Sequence, residues 1–238
     1  MLEVESGGMA DPAADRLFGF AWVTDVPLID KGGPIVVILI VLSILSLAII
    51  LLKIFQFWSA GLSRKAFVTQ ALQKVEDGDF EGALAVALKQ RTPLARVMAA
   101  GIRAKARGDL REEDVTNEVL RVGALELGAL RGYFRMLEVI GNISPLLGLL
   151  GTVVGMISAF QQLEAAGNKV DPAILSGGIW EALLTTAVGL AVAIPSVTAL
   201  HLFENKVDQV RLSFRDASAR LLAALHARAA RTSSKTAG

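Results

Sequence analysis

One carboxylate, Glu181, stands inside the stretch GGIWEALLTTAVGLAVAIP, residues 177–195, which carries no other charge. At helical spacing Glu181, Thr185, Val188, Val192 and Ser196 share one face, and Ala182, Thr186, Gly189 and Ala193 lie beside it. A second uncharged stretch, GNISPLLGLLGTVVGMISAF, repeats the pattern. Small or polar residues recur there at 141, 144, 148, 151, 152, 155 and 158, and Gly151 and Gly155 form a small-xxx-small pair. Two helices striped in this way can approach closely, which turns the carboxylate and the hydroxyls of Thr152, Thr185 and Thr186 toward a protein interior. A charge at the centre of a membrane helix costs on the order of 2.5–3.5 kcal/mol, so it persists where it faces a partner, a wet cavity or a pore. Blander readings stay open. Glu181 lies near the outer end of its run and could be interfacial, membrane threonines often bond a carbonyl of their own preceding turn, and a GxxxG pair alone usually means packing.

These residues need elements that cross a membrane, and the composition supplies them. The chain has 238 residues, 53% of them hydrophobic, with a mean hydropathy of +0.52. Pro34 to Leu52 and Val139 to Leu163 hold no charge, and Pro172 to Phe203 holds only Glu181. Each run reaches the roughly 20 residues that span a hydrocarbon core. The sequence therefore predicts three spans. The first is leucine-rich and β-branched on every face, as expected of a helix looking at lipid.

Charge distribution sets the orientation. Residues 1–33 carry two basic residues against six acidic ones, residues 53–138 carry 14 Lys and Arg, and the tail from His201 carries seven against three acids. Basic segments stay in the cytoplasm. The expected organisation is a periplasmic segment at 1–33 and a first span at 34–52, followed by a cytoplasmic helical domain at 53–138. A second span at 139–163, a periplasmic hairpin at 164–174, a third span at 175–203 and a cytoplasmic helix and tail at 204–238 complete it. The acidic start and the lack of a small-residue cleavage site argue against a signal peptide.

The polar segments read as helix. Thr92-Pro93 supplies an N-cap followed by proline at the first helical position. Asp77-Gly78 breaks one helix and DFEGALAVALKQ restarts another. From Leu110, apolar residues at 115, 119, 122, 130, 134 and 137 predict one long helix that becomes the second span. In the tail, positions 203, 207, 210, 214, 221 and 225 form an apolar stripe suited to packing on a neighbouring helix. The fold expected is an all-α membrane protein of three transmembrane helices, the second and third extended far into the cytoplasm, with a helical cytoplasmic domain.

LLGLLGTVVGMISAF followed by GGIWEALLTTAVGLAVAIPS resembles the paired transmembrane signature of the MotA/TolQ/ExbB proton-channel superfamily. The three-span, N-out layout is similar to its ExbB and TolQ branch. GDFEGAL and TPLARVMAAGIRA extend the likeness into the loop. The resemblance implies a pentameric ring in a bacterial inner membrane, with the second and third spans lining a central pore. A dimer of a one-span partner of the ExbD or TolR type would thread that pore, and the motion driven by proton flow would pass to a TonB- or TolA-like effector. By motif position Thr152 and Thr186 match the family's pore-lining threonines and Glu181 its intramembrane glutamate. Pro145 and Pro195 fall where the family has prolines near the inner helix ends. Thr185 stands where alanine is frequent and would either add a hydroxyl to the pore or bond its own helix. Gly148, Gly151, Gly155 and Gly189 would serve close packing.

Other classes fit less well. No H-E-x-x-H pattern or nucleophile with its base is present, and His201 and His226 have no ligand spacing. The zero cysteines exclude disulfides and thiolate metal sites. No enzyme, metal or cofactor is expected. Nothing resembles a P-loop, and three spans without inverted repeats lack a transporter's midplane site. The loop's 14 bases face 11 acids, an ordinary solvated surface that predicts contact with anionic lipid headgroups and neighbouring subunits, not nucleic acid. The alternative function is a non-conducting scaffold that assembles and stabilises a transmembrane partner.

Overall fold

A computed structural model describes residues 33–61, 66–107, 112–166 and 172–236. In chain order these form α1 (Gly33–Ser59), α2 (Ala66–Asp77), α3 (Phe80–Leu88), α4 (Pro93–Ala106), α5 (Glu112–Arg131), α6 (Phe134–Ala166) and α7 (Pro172–Thr236). Among the described residues there is no strand. Three stretches, Gly33–Ser59, Glu113–Ala165 and Leu175–Arg228, are long and apolar enough to cross a membrane. The chain is an all-α membrane protein. The expectations for residues 1–32 and for the tip of the 164–174 connection fall outside the described residues.

The chain divides into two compact units. One comprises residues up to 44 together with 141–194. In it, Val36 and Ile40 of α1 pack against Leu184 and Val188 of α7. Along α1 the structure differs from the sequence reading. Val36, Leu39, Ser46, Ile49 and Lys53 form a buried stripe, while Val41, Ile44, Leu47, Leu51 and Phe55 are exposed. Only part of the first span is therefore free to face lipid.

The other unit comprises residues 45–140 and 195–238. Gly78, at φ +88°, ends α2 in a conformation that a side chain would strain. Asp79 then caps α3 by accepting from the Gly82 amide at 2.7 Å. The Lys74 ammonium, 2.7 Å from the same carboxylate, holds the Asp79 carboxyl below its ordinary value, and the Gly82 amide adds to the effect. Thr92 caps α4 as its sequence predicts, its hydroxyl accepting from the Ala95 amide at 3.2 Å with Pro93 at the helix start. α4 is buried nearly all round, through Val97, Met98, Ala99, Ile102 and Ala104. A Cβ on Gly101 would sit 2.7 Å from side-chain atoms of both Val119 and Leu221, so α4 lies directly on α5 and α7. The C-terminal half of α7 buries Phe203, Val207, Val210, Phe214, Ala217, Leu221 and Ala224. That alternation of three and four keeps one face of a helix on its neighbours. Each large apolar side chain so covered contributes about 1.5–3 kcal/mol.

One difference concerns the approach to the second span. The single helix expected from Leu110 is interrupted at Gly132-Tyr133, between α5 and α6. Tyr133 adopts φ 66°, a left-handed conformation unusual for a bulky residue.

Candidate functional site

Within the first unit, α6 and α7 touch along their glycines. A Cβ on Gly148 would lie 3.0 Å from the carbonyl oxygen of Thr185 and 3.0 Å from the Cα of Thr186. One on Gly151 would lie 2.6 Å from the Cβ of Thr185, and one on Gly155 3.2 Å from the Cβ of Ala182. From the opposite side, a Cβ on Gly189 would lie 2.6 Å from the Ser144 carbonyl and 3.2 Å from the Gly148 Cα. At Gly148 and Gly189 the obstacles are backbone and at Gly151 and Gly155 side-chain atoms of Thr185 and Ala182 come first, an approach that hydrogen-sized side chains permit. All four glycines singled out by sequence sit in this seam.

The seam sorts the three threonines. Thr185 is buried within it, donating its hydroxyl to the Ala182 carbonyl at 2.7 Å and lying 3.3 Å from the Gly148 carbonyl. Thr186, partly buried, donates across the helix pair to the same Gly148 oxygen at 3.0 Å. Thr152 sits beside the seam with part of its surface accessible and donates to the Leu149 carbonyl of its own helix at 2.7 Å. In each case the hydroxyl hydrogen is committed to a carbonyl, and the oxygen keeps lone pairs with which to accept.

Glu181 occupies the end of the same face nearest the α7 N-terminus and is half-buried. Its Oε1 lies 3.9 Å from where a Cβ on Gly33 would stand. The carboxylate thus lies beside the first described turn of α1. The Thr185 and Thr186 hydroxyls are turned to carbonyls and not to Glu181. The structure brings Thr185 and Thr186 together with Gly148 and Gly151, and it leaves Thr152 and Glu181 at the margins of that cluster. Pro145 and Pro195 both lie inside helices, where each removes one backbone hydrogen bond and favours a bend.

Sequence reasoning passed over two buried polar features in the second unit. Ser46 and Ser196 share a hydrogen bond of 2.6 Å between α1 and α7. Lys53 is 1% exposed. The hydroxyls were visible as interruptions of apolar runs, but nothing in the spacing pairs residues so far apart.

The seam lies within residues 89–216, which match the family described as the MotA/TolQ/ExbB proton channel family. That range covers more than half of the chain. The chain belongs to this family. Several curated proteins of the MotA/TolQ/ExbB family resemble it in part. Biopolymer transport protein exbB1 of Vibrio cholerae is 44% identical over 75 residues, 32% of this chain and 33% of that one. Biopolymer transport protein ExbB of Salmonella typhimurium is 38% identical over 96 residues, 40% of this chain and 38% of that one. The chain thus spans only about a third of the length of these two relatives. A longer match, to putative biopolymer transport protein ExbB-like 3 of Synechocystis, is 30% identical over 182 residues, covering 73% of this chain and 82% of that one. These relatives place the chain with the ExbB branch of the MotA/TolQ/ExbB family, a family of membrane channels and not of enzymes.

Proposed function

We propose that this chain is the ring-forming subunit of an inner-membrane proton channel that harnesses the proton motive force. In this reading it works with a one-span partner of the ExbD or TolR type to energise a TonB- or TolA-like effector for outer-membrane transport or envelope integrity. Several copies, five by analogy with the family, surround the partner helices, with the N-terminus periplasmic and the C-terminus cytoplasmic. The observation that carries the reading is the glycine seam inside the family match, with Thr186 and Thr152 at its edge and Glu181 at its outer end. The exposed apolar residues of both helices, Leu146, Leu149, Val153, Leu183, Leu190 and Ile194 among them, then meet lipid and neighbouring copies. Anionic headgroups meet the basic cytoplasmic segments.

The mechanism follows from where the hydrogens point. The Thr152 and Thr186 oxygens, their hydrogens held by carbonyls, accept from water and order a short chain in the ring's interior. Glu181, held beside the first described turn of α1, raises the local concentration of protons at the periplasmic entry by its charge. Each proton crossing releases about 2.3 kcal/mol per 100 mV. That is enough to bias the partner's movement through a smooth, small-residue interior, and too little to break tight packing.

One observation favours the scaffold reading instead: every one of these hydroxyls already has a partner within its own protomer. The two readings separate in cells carrying the chain with its native partner. In the double variant Thr152→Ala with Thr186→Ala, native mass spectrometry is expected to find intact rings, and proton-driven uptake is expected to fall at least about ten-fold, the loss of roughly one hydrogen bond's worth of barrier lowering. Full uptake by intact variant rings would leave only the scaffold.

A further inference from the structure

We infer that Lys53 is a buried clip that fixes the α5–α6 joint, and so positions the start of the helix that becomes the second span. This goes beyond the proposed function and would stand even if the ring conducted nothing. Lys53 ends the apolar stripe of α1, and at that depth a lysine ordinarily runs its stem along the helix and puts its ammonium in headgroup water. Here the side chain is 1% exposed and turns inward. Its Nζ donates to the Leu130 carbonyl at 2.9 Å and to Gln56 Oε1 at 2.8 Å. It lies 5.2 Å from the ring centre of Phe134 and 5.8 Å from that of Tyr133.

Each partner belongs to the joint. Leu130 is in the last turn of α5, whose terminal carbonyls have no acceptor role left inside the helix and carry the negative end of its dipole. A buried cation placed there satisfies an orphan carbonyl and the dipole together. Tyr133 is the residue at φ 66°, and Phe134 opens α6. Their two rings enclose the ammonium as a cation–π pair of walls. A bulky residue stays in the left-handed region only where its surroundings over-determine it, and the ammonium, fixed from α1, meets the Leu130 carbonyl before that residue and the Phe134 ring after it. The Gly132 Cα carries no side chain between the ammonium and the chain: a Cβ there would come within 4.0 Å of Nζ. Gln56 in turn reaches toward the Ala129 carbonyl at 3.5 Å, continuing the clip by one residue.

The test is hydrogen exchange followed by mass spectrometry on the full chain with its native partner in lipid nanodiscs, comparing wild type with Lys53→Met and Lys53→Arg. Methionine keeps an unbranched apolar stem one atom shorter but loses the donor and the charge, whereas arginine keeps both. In Lys53→Met, exchange across residues 126–140 is expected to accelerate about ten-fold or more, with α2, α3 and α4 unchanged. Lys53→Arg is expected to restore most of the protection. Should Lys53→Met not fold, Gln56→Leu, which strips one ligand from the ammonium, carries the same comparison with a smaller local acceleration. Unchanged exchange at 126–140, acceleration spread over all helices, or equal acceleration in the methionine and arginine variants would each overturn the inference. None of these readings involves proton flow, so their failure is separable from failure of the channel assignment.

Discussion

Gly189→Leu is expected to break the contact between α6 and α7 and to remove proton-driven function with it. A Cβ at this position would stand 2.6 Å from the Ser144 carbonyl oxygen and 3.2 Å from the Gly148 Cα. Both obstacles are backbone, so no rotamer change relieves them and the helices must separate. Forced overpacking costs about 1–3 kcal/mol where side chains can adjust, and the figure is a lower bound where they cannot. Separation also breaks the Thr186 hydrogen bond to Gly148, about 1 kcal/mol more. Thermal unfolding of the purified protein should show a midpoint several degrees lower. Gly128→Leu is the matching control: beyond its own helix backbone no described atom lies within 4 Å of its Cβ position, and exchanging an exposed helical glycine for leucine should raise helix stability slightly. Equal midpoints for the two variants would remove the seam from the account.

The second large effect falls on the aromatic column of the second unit. Phe203 of α7 stacks on Phe57 of α1 at 5.6 Å between ring centres and on Phe134 of α6 at 6.2 Å. It is 8% exposed. Phe203→Ala removes its buried ring and leaves a cavity among three helices, an expected loss of about 3–5 kcal/mol. A double-mutant cycle with Phe57→Ala should return a coupling of about 0.5–1.5 kcal/mol between the two rings. Strict additivity of the two losses would mean that the rings merely share a neighbourhood.

Much of this architecture can be read from the sequence because charge and periodicity are one-dimensional signals. An uncharged run marks a span wherever it occurs, and the tail's stripe at 203, 207, 210, 214, 221 and 225 is buried throughout. The caps at Thr92 and the break at Gly78 are local chemistry and appear where their residues stand. The glycine stripes announced a close helix pair. What spacing could not resolve is which neighbour a polar group finds. Thr185 and Thr186 are adjacent and identical in type, yet one is sealed in the seam and the other reaches across it. Nothing local marks Lys53 as buried, because its partner carbonyl lies 77 residues away. The break at Tyr133 has no proline to betray it, and the single Gly132 beside it is a weak signal inside a helical pattern. The first span hides its buried stripe for a related reason: Val36, Leu39 and Ile49 are chemically no different from the residues that face outward.

The central claim is that rings of this chain, with their partner, pass protons along a route that Glu181 serves. The most direct measurement is proton flux into proteoliposomes containing the purified complex under an imposed potential, for wild type and Glu181→Ala, with ring integrity checked in each. The account predicts flux above that of empty vesicles for wild type, and a fall of about ten-fold or more in intact Glu181→Ala rings. Equal flux in the two proteins, or none above empty vesicles in either, would contradict it.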